Sequence, residues 1–438
     1  MTMFEFSVVI TIVLFLILLE VPVAYSFGIG ALVYGVISGT DISYHATYGL
    51  AQVGAFSLIA LPLFVITGSL MGECGLSERL LDFVNAFVGR KRGGLGVVTV
   101  MSCALFGAIS GSAAAAMAAI GKIMAPRMIR EGYDPGYVTA LIAVSSVLAL
   151  MIPPSITMVV FAIAIKQSVA ECFLAAMVPG ILLAVVYSLL NLFFCRKNMN
   201  LTVAPPLPMP EVWKEISRSF RRAILSLLMP IIILGGIYSG ICTPTEAAAI
   251  AFVYSLIVGL FVYKDLTLKK LHQISIEASS LTGAVMVVLF FLFIMSRGMI
   301  LAQVPQHFAD LLLGITENKY LLLLIINVLL FLMGMVIDDI SGGILAAIIL
   351  LPITNEIGLN PLHFAAIVSV NLGLGNITPP CAPLLYMAGG VTKVPMNMYF
   401  KDAMRFLLLG HVPMVFIVTF IPQVSLLLPS LYTGRILW

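Results

Sequence analysis

The sequence predicts an all-α polytopic membrane protein with two inverted-topology repeats, each containing a re-entrant helical hairpin and a proline-broken helix. Three observations support this prediction: the composition, the distribution of basic residues and an internal sequence match. Hydrophobic residues make up 61% of the 438 residues and charged residues only 10%, whereas soluble domains carry about 25% charged residues. The net charge of +3 is small and indicates no nucleic-acid partner.

Long apolar runs recur along the whole chain, and a helix needs a run of about 20 such residues to cross a bilayer. The first run lacks the basic start and the small-residue cleavage site of a signal peptide, so we expect it to be retained. The predicted membrane segments are 4–20, 23–38, 56–73, 94–130, 134–165, 170–195, 223–241, 245–263, 273–300, 320–354, 361–391 and 406–428.

Four of these segments are interrupted by residues that break a helix. Ser110-Gly111-Ser112 is a polar tip between two apolar legs, and Pro153-Pro154 interrupts the segment that follows. Lipid offers no hydrogen-bond partner to a freed backbone, so such breaks occur only where protein covers them or where they line an aqueous site. We therefore predict hairpins at 94–130 and 320–354 and broken helices at 134–165 and 361–391.

Basic residues orient the segments, because they are enriched in cytoplasmic loops. They flank both ends of the first hairpin, which must then enter and leave the membrane on the cytoplasmic side. The second hairpin has only Lys319 at its base and opens from the outer face, and both termini lie outside. The residues at the first hairpin are Arg79, Arg90, Lys91, Arg92, Arg127 and Arg130.

An internal repeat relates the two halves of the chain. Residues 132–155 align without gaps with 358–381, at an offset of 226 (358 − 132), and the Pro-Pro pairs coincide. Repeat 1 is assigned to 1–195, with scaffold spans within 4–73. Repeat 2 is assigned to 223–438, with scaffold spans within 223–300. Inverted repeats with broken helices near the midplane are the architecture of alternating-access carriers.

The linker 196–222 connects the repeats. Its prolines stop the preceding helix. The residues that follow place Trp213 and Phe220 beside Arg218, Arg221 and Arg222. This pattern predicts an amphipathic helix lying on the inner leaflet of the membrane.

The breaks predict two cation sites. A proline has no N–H, so Pro153-Pro154 leaves helical carbonyls free beside the hydroxyls of Ser110 and Ser112. Carbonyl and hydroxyl oxygens suit a small, hard cation such as Na⁺. The corresponding second site combines the tip Asp338–Ser341 with the break 376–380. Helix packing is the alternative role of the small residues at these tips.

Three charged residues stand in apolar surroundings. A carboxylate within a membrane is costly and usually functional. One of Asp338 and Asp339 is expected to serve the ion or substrate site, and the other to cap the returning helix leg. Arg297 is expected either to meet an anionic substrate or to extend its side chain to the outer interface.

These motifs resemble the large membrane subunit of the tripartite ATP-independent periplasmic (TRAP) transporters, in order along nearly the whole chain. The resemblance implies Na⁺-driven uptake of a small organic anion by an elevator motion, in the bacterial inner membrane. It also implies a small four-helix membrane subunit and a soluble periplasmic substrate-binding protein as partners. The segments that carry it are 61–71, 107–121, 126–137, 152–160, 244–254, 334–341 and 371–380.

The resemblance completes the predicted site, and no metal other than Na⁺ is expected. The predicted sodium-binding residues are Gly107, Ser110, Ser112, Ala149, Ile152, Pro154, Asp338, Ser341, Gly375, Thr378 and Pro380. The predicted substrate-binding residues are Ser110, Ser155, Arg297, Asp339 and Asn376.

The chain departs from the family pattern at three places. Family members often have Asp-Thr at Asp338-Asp339, an aromatic residue near Arg297 and a glycine within 147–150. A basic residue at Arg297 suits a substrate with a different charge geometry, such as a sulfonate.

Other functions fit the sequence less well than a carrier. A channel needs a filter-like ring of residues, and an intramembrane enzyme needs a Ser/His, paired-Asp or His-rich constellation on facing spans; the sequence shows neither pattern. Within carriers, the alternative is a stand-alone Na⁺/carboxylate symporter that works without a binding protein.

Overall fold

The computed structural model describes residues 3–19, 21–39, 42–196, 201, 208–316 and 318–438. Within these ranges every regular element is a helix, and no strand occurs. Eight helices are long and apolar enough to cross a membrane, or nine if one bent pair is a single span. The predicted all-α, multi-pass membrane class is therefore confirmed.

The first half of the chain forms eleven α-helices. A 3-10 turn, Phe56–Ile59, leads into the fourth of them. The helices are α1 (Met3–Leu18), α2 (Val23–Ser38), α3 (Ile42–Val53), α4 (Ala60–Glu73), α5 (Leu76–Val88), α6 (Gly94–Ser110), α7 (Ala113–Arg130), α8 (Pro135–Ser146), α9 (Leu148–Met151), α10 (Ile156–Ala164) and α11 (Val169–Cys195).

The second half forms another eleven. The π-helical turns Val258–Val262 and Leu407–His411 follow the second and ninth of them. The helices are α12 (Met209–Tyr238), α13 (Pro244–Ile257), α14 (Leu268–Leu301), α15 (Val304–Ile315), α16 (Lys319–Val336), α17 (Asp339–Glu356), α18 (Pro361–Gly375), α19 (Pro383–Thr392), α20 (Met396–Phe406), α21 (Val412–Phe420) and α22 (Pro422–Thr433).

Local sequence explains where the interrupted helices stop and start. Gly111, with a φ of +64°, ends α6, a conformation that glycine adopts without steric cost. Ser112 then caps α7 by accepting the N–H of Ala115. α8 starts at Pro135, behind the cap Asp134, and the helices on either side of Pro153-Pro154 are bent by 41°. Proline inside a helix removes a hydrogen bond and clashes with the preceding turn.

Two groups of helices pack around the hairpins. In one group α14 packs against α2, α3 and α4, and α12 packs against α5 and α13. In the other, α8 packs against α6, α7 and α20, and α18 packs against α11 and α16. The groups meet where α5 contacts α6, where α4 contacts α6 and α10, and where α14 contacts α17. These contacts bring both hairpin tips to a cavity that α4 and α14 also line.

The structure differs from the predicted segments at two places. The amphipathic helix and the span after it form one 30-residue helix, α12, because no helix breaker separates them before Pro230. The last long span is not 406–428: it covers Met396–Phe420 and ends before Pro422, which starts a separate helix. The linker's prolines at 205 and 206 lie outside the described residues.

Contacts with α5 and the turn after it hold the N-terminal half of α12. Arg90 forms an ion pair of 3.0 Å with Glu215, and the rings of Phe83 and Phe220 lie 5.9 Å apart. Trp213 stays exposed. The helix is thus attached to the protein along one side, and it is continuous with a span.

Candidate ion and substrate site

The two hairpin tips, the second Pro-Pro break and the helices α4, α10, α14 and α19 line an open cavity of about 350 Å³. The helices contribute mainly apolar side chains, and the tips contribute the polar ones. The residues that line it are Leu61, Val65, Gly68, Ser69, Ser110, Gly111, Ser112, Ala113, Ala114, Ala115, Ile156, Leu281, Ala284, Val285, Val288, Asp338, Asp339, Ile340, Ser341, Asn376, Pro383, Leu384 and Met387.

The first tip lies directly against the first Pro-Pro break. The backbone N–H of Ile156 donates to the carbonyl of Gly111 at 3.2 Å. A Cβ on Gly111 would lie 2.7 Å from the carbonyl oxygen of Pro154, so only glycine fits here. The hydroxyl of Ser110 stays within the tip, where it contacts the backbone of Ser112 at 3.4 Å.

Close backbone contacts fix the position of this tip. A Cβ on Gly107 would lie 2.5 Å from the Cα of Ala149, so α6 and α9 touch without intervening side chains. A Cβ on Gly68 would lie 2.8 Å from the Cβ of Ser110. The tip is therefore wedged between α9 and α4.

The second tip carries the carboxylates. One side-chain oxygen of Asp338 accepts the N–H groups of Ile340 at 3.2 Å and Ser341 at 3.1 Å. Of the two alternatives for the acidic pair, the structure assigns the capping role to Asp338. Beside it, the side-chain oxygens of Ser341 and Asn376 are buried and, among the described residues, have no hydrogen-bond partner. Unpaired buried oxygens at a cavity wall leave acceptors for a bound ion, water or ligand.

The second Pro-Pro break differs from the first in its backbone bonding. The carbonyl of Asn376 accepts the N–H of Leu384 at 3.1 Å, and the carbonyl of Gly375 accepts that of Thr378 at 2.9 Å. The Thr378 hydroxyl donates to the carbonyl of Leu374 at 2.7 Å. The carbonyls of Gly375 and Asn376, which the two prolines would otherwise leave free, are therefore already hydrogen-bonded. The side-chain oxygens at this break are then the better candidates for ion ligands.

Asp339 connects the two halves of the chain. Its carboxylate accepts a short hydrogen bond from the hydroxyl of Thr157, on α10 of the first half. Thr157 is buried, whereas Asp339 is partly accessible and lines the cavity. The hydrogen bond therefore orients a carboxylate at the cavity wall.

Most of the predicted polar residues meet at the cavity. Ser155 does not line it: its hydroxyl caps α10 by accepting the N–H of Met158. Gly107, Ala149 and Gly375, whose backbones pack closely against neighbouring helices, do not line the cavity. Those at the wall are Ser110, Ser112, Asp338, Asp339, Ser341 and Asn376; those outside the wall are Gly107, Ala149, Ile152, Pro154, Gly375, Thr378 and Pro380.

The structure does not bring Arg297 to the cavity. Its guanidinium donates to the hydroxyl of Tyr44 at 3.1 Å and lies 5.2 Å from the ring centroid of Tyr48. Both tyrosines belong to α3. Val288 is the last residue of α14 at the cavity wall, about 13 Å along the helix from Arg297 at 1.5 Å per residue.

The sequence analysis missed two polar residues of the candidate site. Ser69 lines the cavity from α4, and Thr157 orients Asp339. Ser69 stands in an apolar span without a break, and Thr157 follows a break like many other small polar residues. Only the folded structure shows that Ser69 faces the cavity and that Thr157 contacts Asp339, so the sequence alone does not separate them from other small polar residues.

Paired hairpins and broken helices around a cavity are typical of secondary transporters. Two solved transporters share this fold, although at low identity. The structure of the YdaH transporter from Alcanivorax borkumensis has a TM-score of 0.57 and 15% identity and covers 85% of this chain and 89% of that one. MtrF from Neisseria gonorrhoeae, described with antimetabolite efflux pumps, has a TM-score of 0.56 and 14% identity, at 84% and 83% coverage.

The chain belongs to the tripartite ATP-independent periplasmic transporters, DctM component, which it matches over residues 10–424. It is therefore a TRAP transporter large membrane subunit. It is 37% identical to the C4-dicarboxylate TRAP transporter large permease protein DctM of Pseudomonas aeruginosa, over 86% of each chain. It is 33% identical to the sialic acid large permease SiaM of Vibrio cholerae, at 94% and 96% coverage.

A third relative differs in length. The isethionate TRAP transporter permease protein DctMQ of Oleidesulfovibrio alaskensis is 33% identical over 93% of this chain, which covers 63% of that protein. The named substrates of these relatives are thus a dicarboxylate, a sugar acid and a sulfonate.

Proposed function

We propose that this subunit carries a small organic anion, a carboxylate or a sulfonate, into the cell with Na⁺ as the coupling ion. The observation that carries the proposal is the buried, unpartnered hydroxyl of Ser341 beside the carboxylate of Asp338, at a cavity that Asn376 also lines. Transporters of this kind bind Na⁺ through oxygen atoms at broken helices. The substrates named for the relatives support an anion as the cargo.

The first tip supplies the second proposed cation site. Pro153 and Pro154 remove the N–H groups that would bond the carbonyls of Ala149 and Leu150 in a continuous helix. Gly107 brings α6 within contact of this turn. Ser110 ends the same helix, α6, and its hydroxyl is the second kind of oxygen at this proposed cation site.

The proposed mechanism is an elevator. The hairpins and broken helices move as one unit against α4 and α14, which carry the apolar wall of the cavity. A small four-helix membrane subunit and a soluble periplasmic binding protein complete the transporter, as in TRAP systems. The proposed location is the bacterial inner membrane, with both termini on the periplasmic side.

Uptake into proteoliposomes tests Na⁺ coupling. The complete transporter should accumulate a labelled substrate in Na⁺, and replacement of Na⁺ by K⁺ or choline, at fixed pH and membrane potential, should abolish accumulation. Candidate substrates are the compounds named for the relatives. Undiminished accumulation in choline would reject the coupling.

The role of the binding protein needs a separate measurement. Uptake should require the soluble protein and should show counterflow of labelled against unlabelled substrate, which a channel does not. Full Na⁺-driven uptake without any binding protein would instead identify a stand-alone symporter.

A further inference from the structure

The wall of the cavity between the hairpin tips carries acidic side chains and no basic ones among the described residues. Two carboxylates, Asp338 and Asp339, lie at its wall, and no lysine, arginine or histidine occurs among the described residues that line it. The Na⁺ proposed at Asp338 balances one of these carboxylates, but no basic side chain at the wall balances Asp339, so a purely anionic cargo would meet its charge. Burial in a membrane protein strengthens this repulsion, because the surrounding dielectric is low.

One part of the wall favours an anion. Ala113 and Ala114, the first residues of α7, line the cavity. The only cap of this helix is the neutral hydroxyl of Ser112, which accepts the N–H of Ala115 at 3.4 Å. The other N–H groups of a first helical turn have no partner within the helix, and the helix dipole adds partial positive charge there. A carboxylate or sulfonate group fits this end of the cavity.

The wall at α17 has the opposite character. Its first-turn N–H groups at Ile340 and Ser341 are already bonded to the Asp338 carboxylate. Asp339 adds a second carboxylate, which Thr157 holds in place. Asn376, which is 1% exposed, contributes a side-chain carbonyl without a partner among the described residues. These groups accept hydrogen bonds, and together they fit a cationic donor.

From this polarity we propose that the cargo is a small zwitterion, with its anionic group at the start of α7 and its ammonium group at Asp339. The proposal rests on the proposed function, since it takes the cavity as the substrate site, and it narrows the organic anions to those that also carry an ammonium group. The carboxylate of Asp339 and the carbonyl of Asn376 accept the ammonium protons. Repulsion from Asp339 weakens the binding of a dianion.

Three sulfonates that differ in one end group test the proposal. Taurine carries an ammonium group, isethionate a hydroxyl and sulfoacetate a carboxylate on the same short chain. Binding is measured in Na⁺ as the ligand-dependent rise in the melting temperature of the purified transporter. We expect taurine to bind at least about tenfold more tightly than isethionate, since hydrogen bonds to charged groups are the stronger ones, and sulfoacetate to bind weakest.

Substitutions at Asp339 then test whether this carboxylate causes the preference for taurine over isethionate. Asp339→Asn keeps the size and the hydrogen bond to Thr157, and it should reduce the preference for taurine over isethionate at least about tenfold. Asp339→Glu keeps the charge and should retain the order. Asp310→Asn, which neutralises an exposed acid on α15, is the matched control and should change nothing.

Each other outcome rejects the zwitterion. Tightest binding of sulfoacetate, an unchanged ratio in Asp339→Asn or a failure of taurine to stabilise the protein would overturn it. A change in Na⁺ dependence at an unchanged ratio would make Asp339 an ion ligand instead. Because binding is measured without transport, a loss of Na⁺-driven uptake alone would reject the proposed function and leave the charge preference standing.

Discussion

The two hairpin tips perform the same structural task with different chemistry. Ser112 and Asp338 both cap the returning helix leg, but Ser112 accepts one backbone N–H and Asp338 accepts two. The first tip therefore leaves donors and no charge at the cavity, and the second leaves negative charge. Two related positions in one fold thus provide different electrostatic environments within a single cavity.

The tips also differ in how they are held. The first is bound to its own broken helix through backbone atoms, from Ile156 to Gly111. The second is connected to the other half of the chain through side chains, from Thr157 to Asp339. Both contacts lie within the unit of hairpins and broken helices, so the proposed elevator motion keeps them, whereas movement of one tip alone would break its own contact.

The largest effect is expected from removing the charge of the second tip. Asparagine caps a helix as well as aspartate does, so Asp338→Asn should preserve the fold and remove only the charge. We expect at least about a hundredfold loss of Na⁺-driven uptake, comparable to losing ~3 kcal/mol of bonding to a charged group.

Ser112→Asn is the matched control at the first tip, because it places the same cap there without changing charge. Uptake should fall less in this variant than in Asp338→Asn. Equal losses at the two tips would show that charge does not distinguish them. If Asp339→Thr is more damaging than Asp338→Asn, the assignment of Asp338 to the ion and Asp339 to the substrate is reversed.

A steric change at the second tip should have the next largest effect. A Cβ on Gly375 would lie 2.5 Å from the Cα of Gly334, so Gly375→Ala forces α16 and α18 apart. Overpacking of this kind costs about 1–3 kcal/mol. The melting temperature of the purified protein should fall. Gly390→Ala, where no atom lies within 4 Å of the added Cβ, should leave it unchanged.

A smaller effect is expected in the accessibility of the first tip. Ser112→Cys, in a background without native cysteines, should react with a membrane-impermeant thiol reagent at a rate that Na⁺ and substrate change by roughly tenfold if the tip moves between the two sides. Ser239→Cys, at an exposed position after α12, should react at one rate throughout. Identical labelling of both in every condition, during active transport, would contradict an elevator.

The smallest effect is expected at Arg297, which lies outside the cavity. Arg297→Ala removes the hydrogen bond to Tyr44 and the contact with Tyr48, and should change substrate affinity by less than about twofold because an exposed contact of this kind contributes little. Arg297→Lys should behave similarly. A large loss of affinity in both, with unchanged Na⁺ affinity, would restore its predicted role at the substrate.

Much of this molecule follows from local sequence. Ser112, Asp134 and Asp338 mark helix starts, and Gly111 marks a turn, because capping and positive φ depend on neighbouring residues. The helices within 94–130, 134–165, 320–354 and 361–391 begin and end within a few residues of these bounds for the same reason. The predicted start of the last long span, residue 406, is ten residues after the observed start at Met396. The polar residues in 396–405 lower the local hydropathy, although the helix continues through them.

What the sequence determined by itself was the membrane class, the helix breaks and the polar residues at the tips, because these depend on hydropathy and on short-range backbone chemistry. The tertiary structure alone decided which of those residues share a cavity. Helix packing brings Thr157 into hydrogen-bonding contact with Asp339. It also places the Arg297 side chain of α14 against Tyr44 and Tyr48 of α3, away from the cavity. Contacts between segments this far apart in the chain cannot be read from local sequence. The unequal charge of the cavity is such a property, because it exists only where the two tips meet.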